Sequence, residues 1–186
     1  MIIAGTMSMA STAQTTDNFK YNDEKFADIQ MLRYKAAGFD ELTLKQKKLV
    51  YYLQEAALEG RDILFDQNGA YNLRIRKMLE TVYTDWKGDR NSADFKAMAE
   101  YLKRVWFSNG IHHHYGSAKF KPTFSQVFFR KALKTVSSSK LPLSKGQTVD
   151  QLCDIVFPIM VSTQMTFPFN RTLAKLDEVS TKLSIS

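Results

Sequence analysis

The chain has 186 residues, 44% of them hydrophobic, which is enough for one domain with a core and too apolar for a disordered chain. Its formal net charge of +7 favours acidic partners in a general way, but the 26 basic and 19 acidic side chains are interspersed, with no basic arm or cluster. That pattern argues against a nucleic-acid binder. No window approaches the roughly 18 uninterrupted apolar residues of a membrane span, so no membrane partner is expected.

Residues 1–16, MIIAGTMSMASTAQTT, lack a basic n-region and hold only a weak apolar stretch, although Ser11-Thr12-Ala13 resembles a cleavage site. They read as a flexible leader or a signal-peptide remnant. The compartment stays open between cytoplasm and periplasm. The acidic pairs Asp23-Glu24 and Asp40-Glu41 precede expected helices, where they suit the N-terminal dipole.

The first strong helix signal is Thr43 with Gln46 three residues on, a capping box in which each side chain satisfies a backbone N–H of the other. The apolar stripe behind it runs through Leu49, Val50, Leu53, Ala56 and Ala57, and Gly60 either ends or softens the helix. A second helix spans about Tyr71 to Thr84, with Tyr71, Ile75, Met78, Leu79, Val82 and Tyr83 on one face. A turn-rich loop leads to Asn91 or Ser92 as the cap of a third helix. Its residues Phe95, Met98, Ala99, Leu102, Val105 and Trp106 fall on one face.

After Pro122, a shorter helix over Ser125–Val136 turns Phe128, Phe129, Ala132, Leu133 and Val136 inward. Thr148 caps a further helix that Pro158 is expected to stop at Phe157. Cys153, the lone cysteine, has no partner for an internal disulfide and reads as a small buried hydrophobe. Beyond Pro158 the chain is apolar but irregular, with a last helix expected at 171–183. The fold class is therefore mainly α, with little or no strand.

All three histidines are consecutive, His112, His113 and His114, inside SNGIHHHYGSAKFKP. Neighbours on a helix point about 100° apart and cannot meet on one ion, while on a strand only His112 and His114 share a face. No cysteine or further histidine supplies a third ligand, so no metal site and no cofactor is expected within this chain. Ser108 and Ser117 lie near the histidines but lack the Gly-x-Ser-x-Gly context of a nucleophile elbow, so no catalytic residue is assigned. Asn109-Gly110 carries a helix C-cap signature and projects Ile111–Tyr115 as an extended segment with alternating side chains. The imidazoles then serve as hydrogen-bonding or stacking groups of an ordered loop.

Four stretches in order, FADIQMLRY, FDELTLKQKKLVYYLQEAALEGRDILFDQN, YNLRIRKMLETVYTDWKGD and YLKRVWFSNGIHHHYGSAKFKP, closely resemble the N-terminal region of bacterial dipeptidyl peptidase III proteins of the Bacteroides-like branch. The resemblance covers residues 17–157, a quarter or less of a typical member, and leaves 158–186 as a divergent tail. It implies a helical part of the non-zinc lobe of a two-lobed peptidase that removes dipeptides from peptide N-termini. In that family a His-Glu-x-x-Gly-His helix and a downstream Glu hold zinc, and the Glu within the motif is the general base.

This sequence has no His-Glu dipeptide, so neither zinc ligands nor base carry over and the chain alone is expected to be inactive. The resemblance implies instead that the loop faces the cleft, with Asn109, His112, His114 and Tyr115 as substrate-binding residues. The implied partners are short peptides and the remainder of the peptidase with its zinc lobe. The alternative is a free-standing, non-catalytic helical domain that captures peptides without cleaving them.

Overall fold

The computed structural model describes residues 18–116 and 118–162, so the leader and the helix expected at 171–183 lie outside the described residues. The chain divides between Glu41 and Leu42 into two units. In the first, β1 (Asn22–Phe26) and β2 (Ile29–Leu32) form an antiparallel hairpin that pairs Phe26 with Ile29 and Asn22 with Leu32 across a bulge. Asp23-Glu24 therefore lies in a strand and not before a helix. Asp23 is held there by an ion pair with Arg33 at 2.8 Å across the hairpin. The Ala27-Asp28 turn places Ala27 at φ +50°, a position for which Asn or Gly is the usual signal. Asp40-Glu41 forms a short 3₁₀ turn over Phe39–Glu41.

Among its described residues the second unit holds six α-helices: α1 (Leu44–Glu59), α2 (Arg61–Gln67), α3 (Asn72–Asp85), α4 (Ala93–Ser108), α5 (Gln126–Thr135) and α6 (Val149–Val161). The fold is mainly α-helical. Thr43 completes the expected capping box with Gln46, Thr148 caps α6 as expected and adds a box with Gln151, and of Asn91 and Ser92 it is Ser92 that caps α4. Ser125, expected as the first helical residue, is instead the N-cap of α5 and accepts the N–H of Phe128. Gly60 keeps a right-handed helical conformation, so it ends α1 and at once begins α2.

Pro158 does not stop α6. Proline forfeits its own N–H and crowds the carbonyl one turn back, yet the helix continues to Val161, where the Ser162 N–H donates to the Pro158 carbonyl at 2.8 Å. The Lys119 ammonium donates to the Ile159 carbonyl at 3.3 Å, placing a cation at the negative end of the helix.

The core is built by α3 to α6. Ile75, Met78, Leu79 and Val82 of α3 and Met98, Leu102 and Val105 of α4 are fully buried against each other. Phe129 and Leu133 of α5 and Leu152, Cys153 and Val156 of α6 close the other side. Each large side chain removed from water in this way contributes roughly 1.5–3 kcal/mol. Outside the core, Arg130 of α5 pairs with Asp150 and Asp154 of α6, and Lys134 pairs with Asp150 at 2.9 Å.

α1 is the exception. None of its residues is buried, and its expected apolar stripe lies in solvent, with Leu49 58% and Leu53 60% exposed. Tyr51 and Tyr52 add to it, so Leu49–Leu53 is an unbroken apolar run. Successive residues turn about 100° around a helix, so this run encircles α1 completely. Helices apolar on every side belong to interiors. Among the described residues, no helix is long and apolar enough to cross a membrane.

Candidate functional site: the histidine loop

α4 ends where Asn109 enters the left-handed conformation at φ 53°, and the Gly110 N–H then reaches back to the Val105 carbonyl at 3.0 Å. This is a Schellman closure with Asn109, rather than the glycine, in the left-handed position. Gly110, at φ +156°, passes so close to α3 that an added Cβ would lie 2.3 Å from Asn72 Nδ2. Asn72 Oδ1 accepts the buried Ile111 N–H at 3.2 Å, and Asn68 Nδ2 donates to the Asn109 carbonyl at 3.3 Å. Two asparagines from the start of α3 and the end of α2 thus fix the base of the loop.

From Ile111 the chain runs extended only to His113 and then turns back. The Phe120 N–H donates to the Ile111 carbonyl at 2.8 Å, the His113 N–H to the Ala118 carbonyl at 2.7 Å, and His112 bridges Lys119. The Gly116 N–H closes the turn onto the His113 carbonyl at 3.0 Å. The expected alternation through Tyr115 therefore fails after His113, because the turn brings the next side chains to one side.

The four substrate residues expected from the resemblance do not share one face. His112 is buried at 8% exposure, Asn109 is half-buried, and His114 and Tyr115 are exposed, Tyr115 by 89%. The structure instead gathers His113, His114 and Tyr115. The two imidazoles stack at 4.4 Å, His114 lies 4.2 Å from the Tyr115 ring, and Phe107 meets His114 edge-on at 4.9 Å. His113 Nδ1 accepts the Tyr115 N–H at 3.2 Å, so this nitrogen is an acceptor and the ring orders the turn. His113, expected only as a stacking or hydrogen-bonding imidazole, does both, whereas Asn72 is the loop contact the sequence did not reveal, because no local pattern links it to a loop some forty residues on.

Zinc does not fit this arrangement. Imidazole lone pairs lie in the ring plane, and two near-parallel rings 4.4 Å apart, 24° between planes, cannot both reach an ion at about 2.0–2.1 Å. Among the described residues, no three His, Cys, Asp or Glu side chains gather as a ligand set.

Asn109 faces a separate cavity of about 890 Å³ that α1, α2, α3 and α4 line together. Its floor is Arg76, which lies over the Phe65 ring at 4.5 Å and pairs with Asp62 at 2.6 Å and Glu80 at 3.3 Å. Glu80 also accepts the Trp106 indole N–H at 2.7 Å. The hydrogen bond from Arg76, then that from Lys77, holds the Asp62 carboxyl below its ordinary value against an opposing effect of burial. The arrangement is a polar network that ties α2 to α3 and α4, in which Arg76 Nε pairs with Glu80 by charge without a formed hydrogen bond. No protein-family model and no curated protein matches the chain.

Proposed function

We propose that this chain is the helical N-terminal part of a dipeptidyl-peptidase-III-like zinc peptidase, supplying peptide-facing surface and no catalytic centre. The observation that carries the reading is α1. The turn Leu49–Leu53 is apolar on every side between polar turns, and a free-standing peptide-binding domain would leave it in water permanently. A larger polypeptide that encloses α1, as the rest of such a peptidase would, resolves this. The four resembling stretches and the ordered histidine loop agree with it.

In this reading His113, His114 and Tyr115 form an aromatic shelf for an extended peptide, and zinc and general base come from the missing lobe. The test is the coding sequence downstream of Ser186 in the source genome. A His-Glu-x-x-Gly-His motif within a few hundred codons, in this frame or an adjacent one, supports the reading, and its absence overturns it in favour of the free-standing domain. A longer product containing both parts is expected to release dipeptides, whereas residues 1–186 alone are expected to release none.

A further inference from the structure

We propose that the small cavity between α4 and the return arm of the histidine loop is a carboxylate subsite, formed by Arg104, Lys119 and Lys121, that takes the C-terminus of a short peptide. The inference rests on the peptide-binding reading above and extends it from stacking to charge recognition.

The cavity measures about 310 Å³, room for the end of a peptide but not for a folded partner. Its walls carry three cations, Arg104 on α4 and Lys119 and Lys121 on the return arm, against one carboxylate, Glu100. The Arg104 guanidinium lies 5.3 Å from the centre of the Phe120 ring and pairs loosely with Glu100 at 3.8 Å. A guanidinium can meet a planar carboxylate with two parallel N–H donors.

Two further donors are poorly served by the protein. Lys119 Nζ is partly buried and donates to a neutral backbone carbonyl, and burial depresses its basicity, as happens to an ammonium short of counter-charge. The Tyr101 side chain, part of the same wall, is 3% exposed, and its hydroxyl has no hydrogen-bond partner among the described residues. Burial raises the phenol pKa, so Tyr101 stays an O–H donor at neutral pH. A compact group that is negative and rich in acceptors answers the three cations of the wall. Glu100 in the wall favours a monoanionic carboxylate over a phosphate dianion. Lys119 is also the bridge partner of His112, so one ordered loop carries both the shelf and the subsite.

The experiment is amide-resolved NMR titration of the 186-residue chain with two short peptides differing only in a C-terminal acid or amide. Acetate and inorganic phosphate are added separately, against sodium chloride at matched ionic strength. The acid is expected to bind about tenfold more tightly than the amide, with its extra shifts at 97–104 and 119–123. Lys121→Gln, at an exposed position that folding tolerates, and Arg104→Gln are each expected to lower the acid's affinity to that of the amide. Equal binding of both peptides, with shifts at His113–Tyr115 alone, overturns the subsite and leaves the peptide reading standing. Acetate shifts at 97–104 and 119–123 without binding of either peptide support the subsite and remove the peptide reading. Phosphate binding more tightly than acetate overturns the assignment to a carboxylate, and shifts no larger than those of chloride overturn the site altogether.

Discussion

The loop depends on a contact between two side-chain-poor points, Gly110 and the Asn72 amide. Gly110→Ala forces a Cβ to within 2.3 Å of Asn72 Nδ2 and is expected to cost about 1–3 kcal/mol. Asn72→Ala leaves the Ile111 N–H buried without its acceptor and is expected to cost a similar 1–3 kcal/mol. Urea denaturation checks both, and a wild-type midpoint in either variant would contradict the anchoring role. Acid behaviour belongs to the same scale. The folded pKa of Asp62 lies below its ordinary 3.8, so its ion pairs stabilise the fold above that value and are lost as pH falls through 3.8 to the folded value. Asp85 and Asp150, lowered first by the hydrogen bonds from Lys140 and Lys134, act in the same window. The urea midpoint is therefore expected to drop below about pH 4, and Asp62→Asn to shallow that drop; an unchanged acid limb would sink the assignment. The caps at Thr43, Ser92 and Thr148 were legible in the sequence because donor and acceptor lie within three residues. The Asn72 anchor was not, because only tertiary packing brings it to Ile111.

At the scale of elements, the same division holds. α3, α4 and α5 read correctly as helices from spacing because each has its apolar partner within the described chain, although Trp106, expected on the apolar face of α4, is exposed and Arg76, expected off the apolar face of α3, is buried. The β1–β2 hairpin escaped because its Ala27-Asp28 turn lacks the Asn-Gly type signal and its strands are short and charged. α6 outran its expected stop because proline costs a helix one bond when the following turn is otherwise satisfied. α1 read correctly as a helix, yet none of its residues is buried against the described residues. Leu49→Glu with Leu53→Glu is accordingly expected to leave thermal stability within about 0.5 kcal/mol of the parent chain while reducing dye binding and self-association. Leu79→Ala, in the α3 core, is expected to cost about 2–5 kcal/mol. If the α1 pair destabilises as Leu79→Ala does, α1 is already covered in solution.

For the whole molecule, the histidine run, the most conspicuous feature of the sequence, forms a loop of stacked rings, and α1 is its most exposed apolar element. In the proposed reading this exposed apolar turn is covered within a larger polypeptide, in which this part offers surface and another supplies chemistry. Hydrogen exchange on the isolated chain, at a concentration where it is monomeric, tests this most directly. The account expects amides of Leu49–Leu53 to exchange close to the rate of an unstructured peptide, while those of Met78–Val82 and Leu102–Val105 stay protected. Protection of α1 equal to that of α3 and α4 in the monomer would show a helix that needs no cover, and would contradict the claim that this chain is one part of a larger enzyme.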